Sequence, residues 1–169
     1  MKLLFVHQNM PGQYREFIQW LGEEGEHEIV FLTQRKKPHQ FNSVRTVIYA
    51  SHHKADEKAY GLSKTWETAA GNGFGAAMAL RKIVTEGFTP DIIIGHVGWG
   101  EMSFFREVLP DTPMIGFFEY YYSAHGGPVG FDPSEPVSDH SPFLLAANNV
   151  VPLANINIVD LAHSPTQWQ

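Results

Sequence analysis

Two short runs of apolar residues, 3–6 and 92–94, constrain the fold more than any other feature of the sequence. Each run has the length and composition of a strand buried on both faces, as strands of parallel sheets are. The first run is followed by apolar residues at the helical spacing i, i+3, i+4 and i+7, namely Tyr14, Phe17, Ile18 and Leu21. A second strand is predicted at 28–32, which completes a strand–helix–strand unit with a right-handed crossover.

The rest of the chain continues this alternation. Strands are predicted at 44–50, 91–94, 113–118 and within 156–162, and helices at 64–86, 103–109 and 144–153. A long loop rich in glycine and proline is predicted at 120–142, the kind of loop that is usually functional or mobile. Alternating strands and helices predict an α/β fold: a Rossmann-like, three-layer domain with a mainly parallel sheet of about six strands. Residues 1–169 are expected to form this single domain.

Composition excludes several functional classes. The net charge is −6, with 12 basic and 18 acidic residues, which argues against a nucleic-acid partner. There is no cysteine, and the histidines lack zinc-site spacing, so no metal is expected. No stretch has the length of a transmembrane segment, and the first apolar run is too short for a signal peptide, so a cytoplasmic location is expected. The short basic run 35–37 leaves peripheral membrane contact open.

Residues 71–76, Gly-Asn-Gly-Phe-Gly-Ala, fit the G-x-G-x-x-A fingerprint of dinucleotide-binding proteins. That fingerprint must follow a strand and open a helix, whereas here it lies inside the predicted helix 64–86. We therefore interpret the glycines as positions of close helix packing and predict no NAD or FAD. The sequence also has no P-loop and no G-x-S-x-G motif.

The turn after the first strand contains Asn9, Pro11 and Gly12. Proline suits a first helical position, and glycine lets a ligand approach the backbone. Because free amides at a helix N-terminus favour anions, Asn9 and Gly12 are candidates for binding a phosphate or another anion. The alternative is an ordinary strand-to-helix turn.

The turn after the strand at 91–94 contains His96, Gly98, Trp99 and Glu101. In open parallel sheets, ligands bind just past the carboxyl ends of the strands. A titratable ring, an indole and a carboxylate at this edge suit a sugar ligand. The alternative interpretations are a hydrogen-bonded structural histidine, a packed indole and a carboxylate that faces a helix dipole.

Glu119, Tyr121 and Tyr122 end the strand predicted at 113–118, at the same edge of the sheet. Tyrosine rings present apolar faces to C–H groups and polar tips to hydroxyls, so this segment also suits a carbohydrate. Alternatively, these tyrosines cover the core at a strand end.

Five segments together resemble family 4 glycosyltransferases: residues 1–13, 96–101, 118–122, 130–133 and 164–169. The resemblance implies a GT-B fold, in which two Rossmann-like domains face each other across a cleft, and it assigns this chain to the N-terminal domain. That domain mainly holds a carbohydrate or another hydroxyl acceptor. The nucleotide-sugar donor is held mainly by the C-terminal domain, whose donor motif is not in this sequence, so the chain alone is expected to be inactive.

The resemblance also implies retaining transfer without a bound cofactor or metal. His96 and Glu119 would be the catalytic residues, with His96 polarising or orienting a reacting group more than acting as a base. Asn9, Gly12, Gly98, Trp99, Glu101, Tyr121 and Tyr122 would bind substrate. Exposed apolar residues such as Phe131 and Trp168 would face the second domain or a partner in a homodimer.

Two alternatives stay open at this point. The first is a non-catalytic binding or interaction module with a Rossmann-like shape. The second is a small flavodoxin-like binder of a nucleotide or a flavin, which the polar turn after the first strand permits.

Overall fold

A computed structural model describes residues 1–125, 129–132, 134 and 137–167. Part of the predicted loop, at 126–128, 133, 135 and 136, lies outside the described residues, as does the apolar contact predicted for Trp168.

The strands are β1 (Lys2–Val6), β2 (Glu28–Thr33), β3 (Val44–Ile48), β4 (Ile92–His96), β5 (Met114–Phe117) and β6 (Leu161–His163). The helices are α1 (Arg15–Glu24), α2 (Lys64–Thr85), α3 (Ser141–Asn148) and α4 (Val150–Ile156). All neighbouring strands pair in parallel, in the order β3-β2-β1-β4-β5-β6. The predicted Rossmann-like sheet of about six parallel strands is confirmed, and this strand order is that of dinucleotide-binding folds.

The sheet is covered on both faces because successive side chains of a strand point to opposite sides. On one face, Leu4 of β1 packs in a core cluster with Leu80 of α2. On the other face, Phe5 packs in a second cluster with Ile18 of α1. The continuous apolar run of β1 thus supplies both cores, which explains why it shows no polar alternation.

Two predicted helices differ in the structure. Within residues 103–109 only a 3-10 turn forms, Phe105–Glu107, because the segment is short and Pro110, which has no N–H to donate, ends it. The helix predicted at 144–153 is divided into α3 and α4. Pro152 is the third residue of α4 and has no N–H to donate to the Asn148 carbonyl, so the helix cannot continue unbroken.

The glycines of residues 71–76 lie in α2, as predicted, and bring the helix close to its neighbours. A Cβ at Gly71 would collide with the His53 carbonyl, and one at Gly75 would collide with the Ala50 carbonyl. His52 also donates its backbone N–H to the Gly71 carbonyl, 3.0 Å away. The interpretation of this motif as helix packing is confirmed.

The close packing predicts a cost for any side chain at Gly71. Alanine raises intrinsic helix propensity by about 1 kcal/mol, but overpacking against fixed backbone costs about 1–3 kcal/mol. We expect Gly71→Ala to lower the free energy of unfolding in urea by about 1–2 kcal/mol. Gly61→Ala is the matched control, because a Cβ there meets only the Leu144 side chain at an ordinary 3.7 Å. Equal stability of the two variants would contradict the packing interpretation.

Candidate functional site at the carboxyl edge of the sheet

The candidate site lies where β1 and β4 are neighbours, the point at which the strand order reverses direction. Ligands of open α/β sheets bind in the crevice at this switch point. A pocket of about 230 Å³ opens here, between the loops that follow β4 and β5. Its wall includes Thr65, His96, Gly98, Trp99, Glu119 and Tyr122.

His96 is the last residue of β4, not part of the turn beyond it as predicted, and it is only 3% exposed. The Gly98 N–H donates to His96 Nδ1 over 3.0 Å, so Nδ1 is the unprotonated nitrogen. Nε2 therefore carries the hydrogen and donates it to Glu119 Oε2, 3.0 Å away. Burial lowers the pKa of His96, an effect that Glu119 only partly offsets. His96 is thus a neutral hydrogen-bond donor with a fixed tautomer.

Gly98 is required by this arrangement. A Cβ at Gly98 would lie 2.7 Å from Cε1 of the His96 ring, too close for a side chain. The glycine therefore lets the turn fold back over the imidazole and bring its N–H to Nδ1.

Glu119 follows β5 and places a carboxylate at the wall of the pocket. Besides the bond from His96, its Oε1 accepts a hydrogen bond from Gln13 Nε2 over 2.9 Å. The Glu119 carboxylate therefore connects the loops after β1, β4 and β5. Gln13 is a site residue that the sequence did not single out.

His7 is a second buried histidine that the sequence analysis missed. It follows β1 directly, is 5% exposed, and its ring centroid lies 5.1 Å from that of His96. The Asn9 N–H donates to His7 Nδ1 over 2.9 Å. Burial and the neighbouring His96 lower the pKa of His7 to about 4, so it is neutral near pH 7. The available signal was a histidine at the end of an apolar run, as His96 is.

Gly12 lies directly against the His7 ring. Its φ is +55°, and a Cβ there would lie 2.7 Å from the His7 ring, so glycine lets the backbone close over the imidazole. Two amides of this turn are already used: Asn9 donates to His7, and Met10 donates to Thr33 Oγ1 over 3.2 Å. These two donors are therefore unavailable to the predicted anion, and binding by Asn9 and Gly12 stays a prediction.

Trp99 forms an exposed aromatic wall of the pocket. Its indole is 45% exposed and stacks against His96, with ring centroids 6.2 Å apart and planes inclined by 24°. Its backbone carbonyl accepts a hydrogen bond from Asn72 Nδ2 over 3.0 Å, which anchors the β4 turn to α2. The indole is therefore held in place while much of its surface stays open.

Glu101 does not reach the pocket. It is fully buried, and its Oε1 accepts a hydrogen bond from Tyr49 Oη over 2.7 Å. Its Oε2 has no partner among the residues that the structure describes. Burial raises the pKa of Glu101 to about 7. This structural contact replaces the ligand contact expected from the sequence.

The two tyrosines predicted to bind substrate are separated. Tyr122 lines the His96 pocket, and its backbone is held by Asn149, whose amide both accepts and donates at 2.8 Å. Tyr121 lines a different pocket, beside Phe118 and His163 at the β6 edge. Only Tyr122 is therefore brought together with His96.

Across the described part of the chain, no three histidine, aspartate or glutamate side chains are grouped as metal ligands would be. No helix among the described residues is long and apolar enough to cross a membrane.

Comparison with known proteins decides the family. Residues 25–169 match the model of the glycosyl transferase family 4 group. The chain belongs to this family. No curated protein sequence matches the family 4 chain at a significant level.

Two solved structures share the fold of this family 4 domain. One is Os79 T291V from O. sativa in complex with UDP, with a TM-score of 0.53 and 12% identity, covering 98% of this chain and 47% of that protein. The other is UGT2 from Phytolacca americana with UDP-2fluoro-glucose and pterostilbene, with a TM-score of 0.57 and 10% identity, covering 98% and 46%. The family 4 chain spans about half the length of each.

Burial of Glu101 predicts a pH-dependent stability of the family 4 domain. Because its folded-state pKa of about 7 lies above the ordinary 4.5, folding favours the protonated acid, and this stability is lost as the pH rises from about 4.5 through 7. The loss is on the order of 3 kcal/mol. Glu101→Gln removes it, so in urea unfolding the variant should gain stability relative to the wild type between pH 5 and pH 8.

Glu24→Gln, which changes an exposed carboxylate at the end of α1, is the matched control and should follow the wild-type curve. A constant difference between Glu101→Gln and the wild type across this pH range would show that Glu101 is already charged in the folded protein.

Proposed function

We propose that this chain is the N-terminal, acceptor-side domain of a retaining glycosyltransferase, which moves a sugar from a nucleotide donor to an acceptor hydroxyl. The observation that carries the proposal is the neutral His96, whose Nε2–H is aimed at a carboxylate beside an open indole. Membership of the glycosyl transferase family 4 group supports glycosyl transfer. The pocket at the switch point supports ligand binding at this edge.

His96 cannot act as a free base, because the Gly98 N–H occupies its only unprotonated nitrogen. We propose that, when substrate binds, the Nε2 hydrogen of His96 moves from Glu119 to an oxygen of the transferred sugar or of the reacting centre. A fixed donor in a buried site stabilises developing charge without reorganisation. The Glu119 carboxylate would accept a hydrogen bond from a ligand hydroxyl and keep that hydroxyl oriented.

The proposed reaction exchanges one bond at the anomeric carbon. The bond from that carbon to the donor phosphate oxygen breaks, and a bond to the acceptor oxygen forms on the same face. The acceptor proton leaves with the departing phosphate. The protein's part is to position both substrates and stabilise charge. This role agrees with a His96 whose unprotonated nitrogen already accepts a hydrogen bond and cannot act as a base.

A second Rossmann-like domain would supply most of the donor contacts. Support comes from the two solved structures with UDP and UDP-2fluoro-glucose, of which this chain covers 47% and 46%.

We also propose that the reaction takes place in the cytoplasm. The lack of cysteine in the sequence agrees with a reducing compartment.

The direct test is His96→Ala in the full-length protein. Loss of one preorganised donor to a developing charge lowers kcat by roughly 100-fold to 1,000-fold. We expect a fall of this size in UDP release from a panel of UDP-sugars, measured at a temperature at which circular dichroism shows the variant to be folded, because loss of the buried ring also lowers stability. His27→Ala is the matched control, since His27 precedes β2 at the opposite edge of the sheet and contacts the N-terminal amine. Equal turnover of both variants would refute the role of His96.

The sequence of the gene beyond the codon for Gln169 gives an independent check. An in-frame second α/β domain is the expected result. A stop codon at that point would favour the alternative, a binding module without catalytic activity, and sugar binding without turnover would then be measured.

A further inference from the structure

A second pocket adjoins the His96 pocket. It has a volume of about 300 Å³, and it shares Thr65, Gly98 and Trp99 with the first. Trp99 therefore forms a common wall of the two pockets. Each volume lies at or below the low end for drug-sized ligand sites, which suits one ring in each pocket better than one large ligand in either.

A chain of hydrogen-bonded side-chain amides connects two residues of the second pocket, and the direction of donation along this chain is fixed. It begins at the Trp99 carbonyl, which can only accept, so Asn72 must donate with Nδ2 over 3.0 Å. Asn72 Oδ1 then accepts from Gln34 Nε2 over 3.2 Å, and Gln34 Oε1 accepts from Gln8 Nε2 over 3.2 Å. Both ends of this chain, Gln8 and Trp99, line the second pocket.

The polar groups of the lining fit hydroxyl groups. The lining is mainly apolar, and Gln8 contributes a neutral amide to it. Thr65 Oγ1, which donates to Asn148 Oδ1, can accept from a ligand hydroxyl, and Thr68 Oγ1, which accepts from the Ala55 N–H, can donate to one. Lys64 is the single cation of the lining, and its Nζ donates to the Glu57 carbonyl over 3.4 Å. One cation among neutral groups favours a saccharide over a nucleotide diphosphate, which arginine and lysine clusters recognise.

We propose that this second pocket, the Gln8 subsite, binds the next sugar unit of an oligosaccharide acceptor. The acceptor then has at least two sugar units, one that presents its reacting hydroxyl at His96 and one at Gln8, with Trp99 forming a wall beside both. This inference rests on the proposed function of the His96 pocket as a sugar site. Nothing in the family assignment specifies the length of the acceptor.

The test is sugar binding to the ¹⁵N-labelled full-length protein, followed through the side-chain amide signals of Gln8 and Asn72 and the indole signal of Trp99. The probes are methyl glycosides of glucose, galactose, mannose and N-acetylglucosamine, and disaccharides of the same sugars. We expect the best disaccharide to bind about tenfold more tightly than its monosaccharide, because each added hydrogen bond is worth up to about tenfold. The disaccharide should shift the Gln8 and Asn72 signals, and the monosaccharide should shift Trp99.

Gln8→Leu separates the two pockets. It should reduce disaccharide affinity to that of the monosaccharide while leaving monosaccharide affinity unchanged. Gln19→Leu is the matched control, because Gln19 is exposed on α1 and donates only to Glu23 in its own helix. That variant should keep the tenfold preference.

Two results would overturn the inference in distinguishable ways. Equal affinity for both sugar sizes, with the Gln8 signal unmoved in the wild type, would remove the Gln8 subsite and leave the proposed function intact. A lack of any shift at Trp99 with every probe would contradict the sugar site at His96 and the subsite with it.

Discussion

The parallel pairing of β1 with β4 is the contact on which the whole site depends. The register aligns Val6 with Gly95, so the next residues, His7 and His96, emerge side by side at the carboxyl edge. Their ring centroids lie 5.1 Å apart. A shift of one residue in this register would turn one of the two side chains to the other face of the sheet and separate the pair.

The closeness of these rings sets the electrostatics of the site. Two imidazolium ions at this distance would repel each other strongly in a buried environment, and burial itself disfavours the charge on each. Each ring instead accepts a backbone N–H at Nδ1, from Asn9 for His7 and from Gly98 for His96. The two glycines that lie against the rings, Gly12 and Gly98, make this geometry sterically feasible. The one charged partner at His96, the Glu119 carboxylate, lies on the side of the pocket.

The sequence predicted the sheet and its edge because apolar runs and helical spacing are local signals, and residues 3–6 and 92–94 carry them clearly. The position of His96 and the helical location of Gly71 and Gly75 followed from the same patterns. Glu101 was misplaced because its partner, Tyr49, directly follows β3 and lies 52 residues away in sequence. Contacts of this kind depend on tertiary packing, which local spacing does not encode.

The site described above depends on a neutral His96 with its hydrogen on Nε2, because Nδ1 accepts the Gly98 N–H. The ¹⁵N NMR spectrum of the His96 ring at pH 7 and above, assigned by comparison with His96→Ala, reports both nitrogens. The structure predicts an unprotonated Nδ1 and a protonated Nε2, with the pKa of the ring lowered by burial. A protonated Nδ1, or a ring whose pKa is raised above that of free histidine, would contradict this assignment.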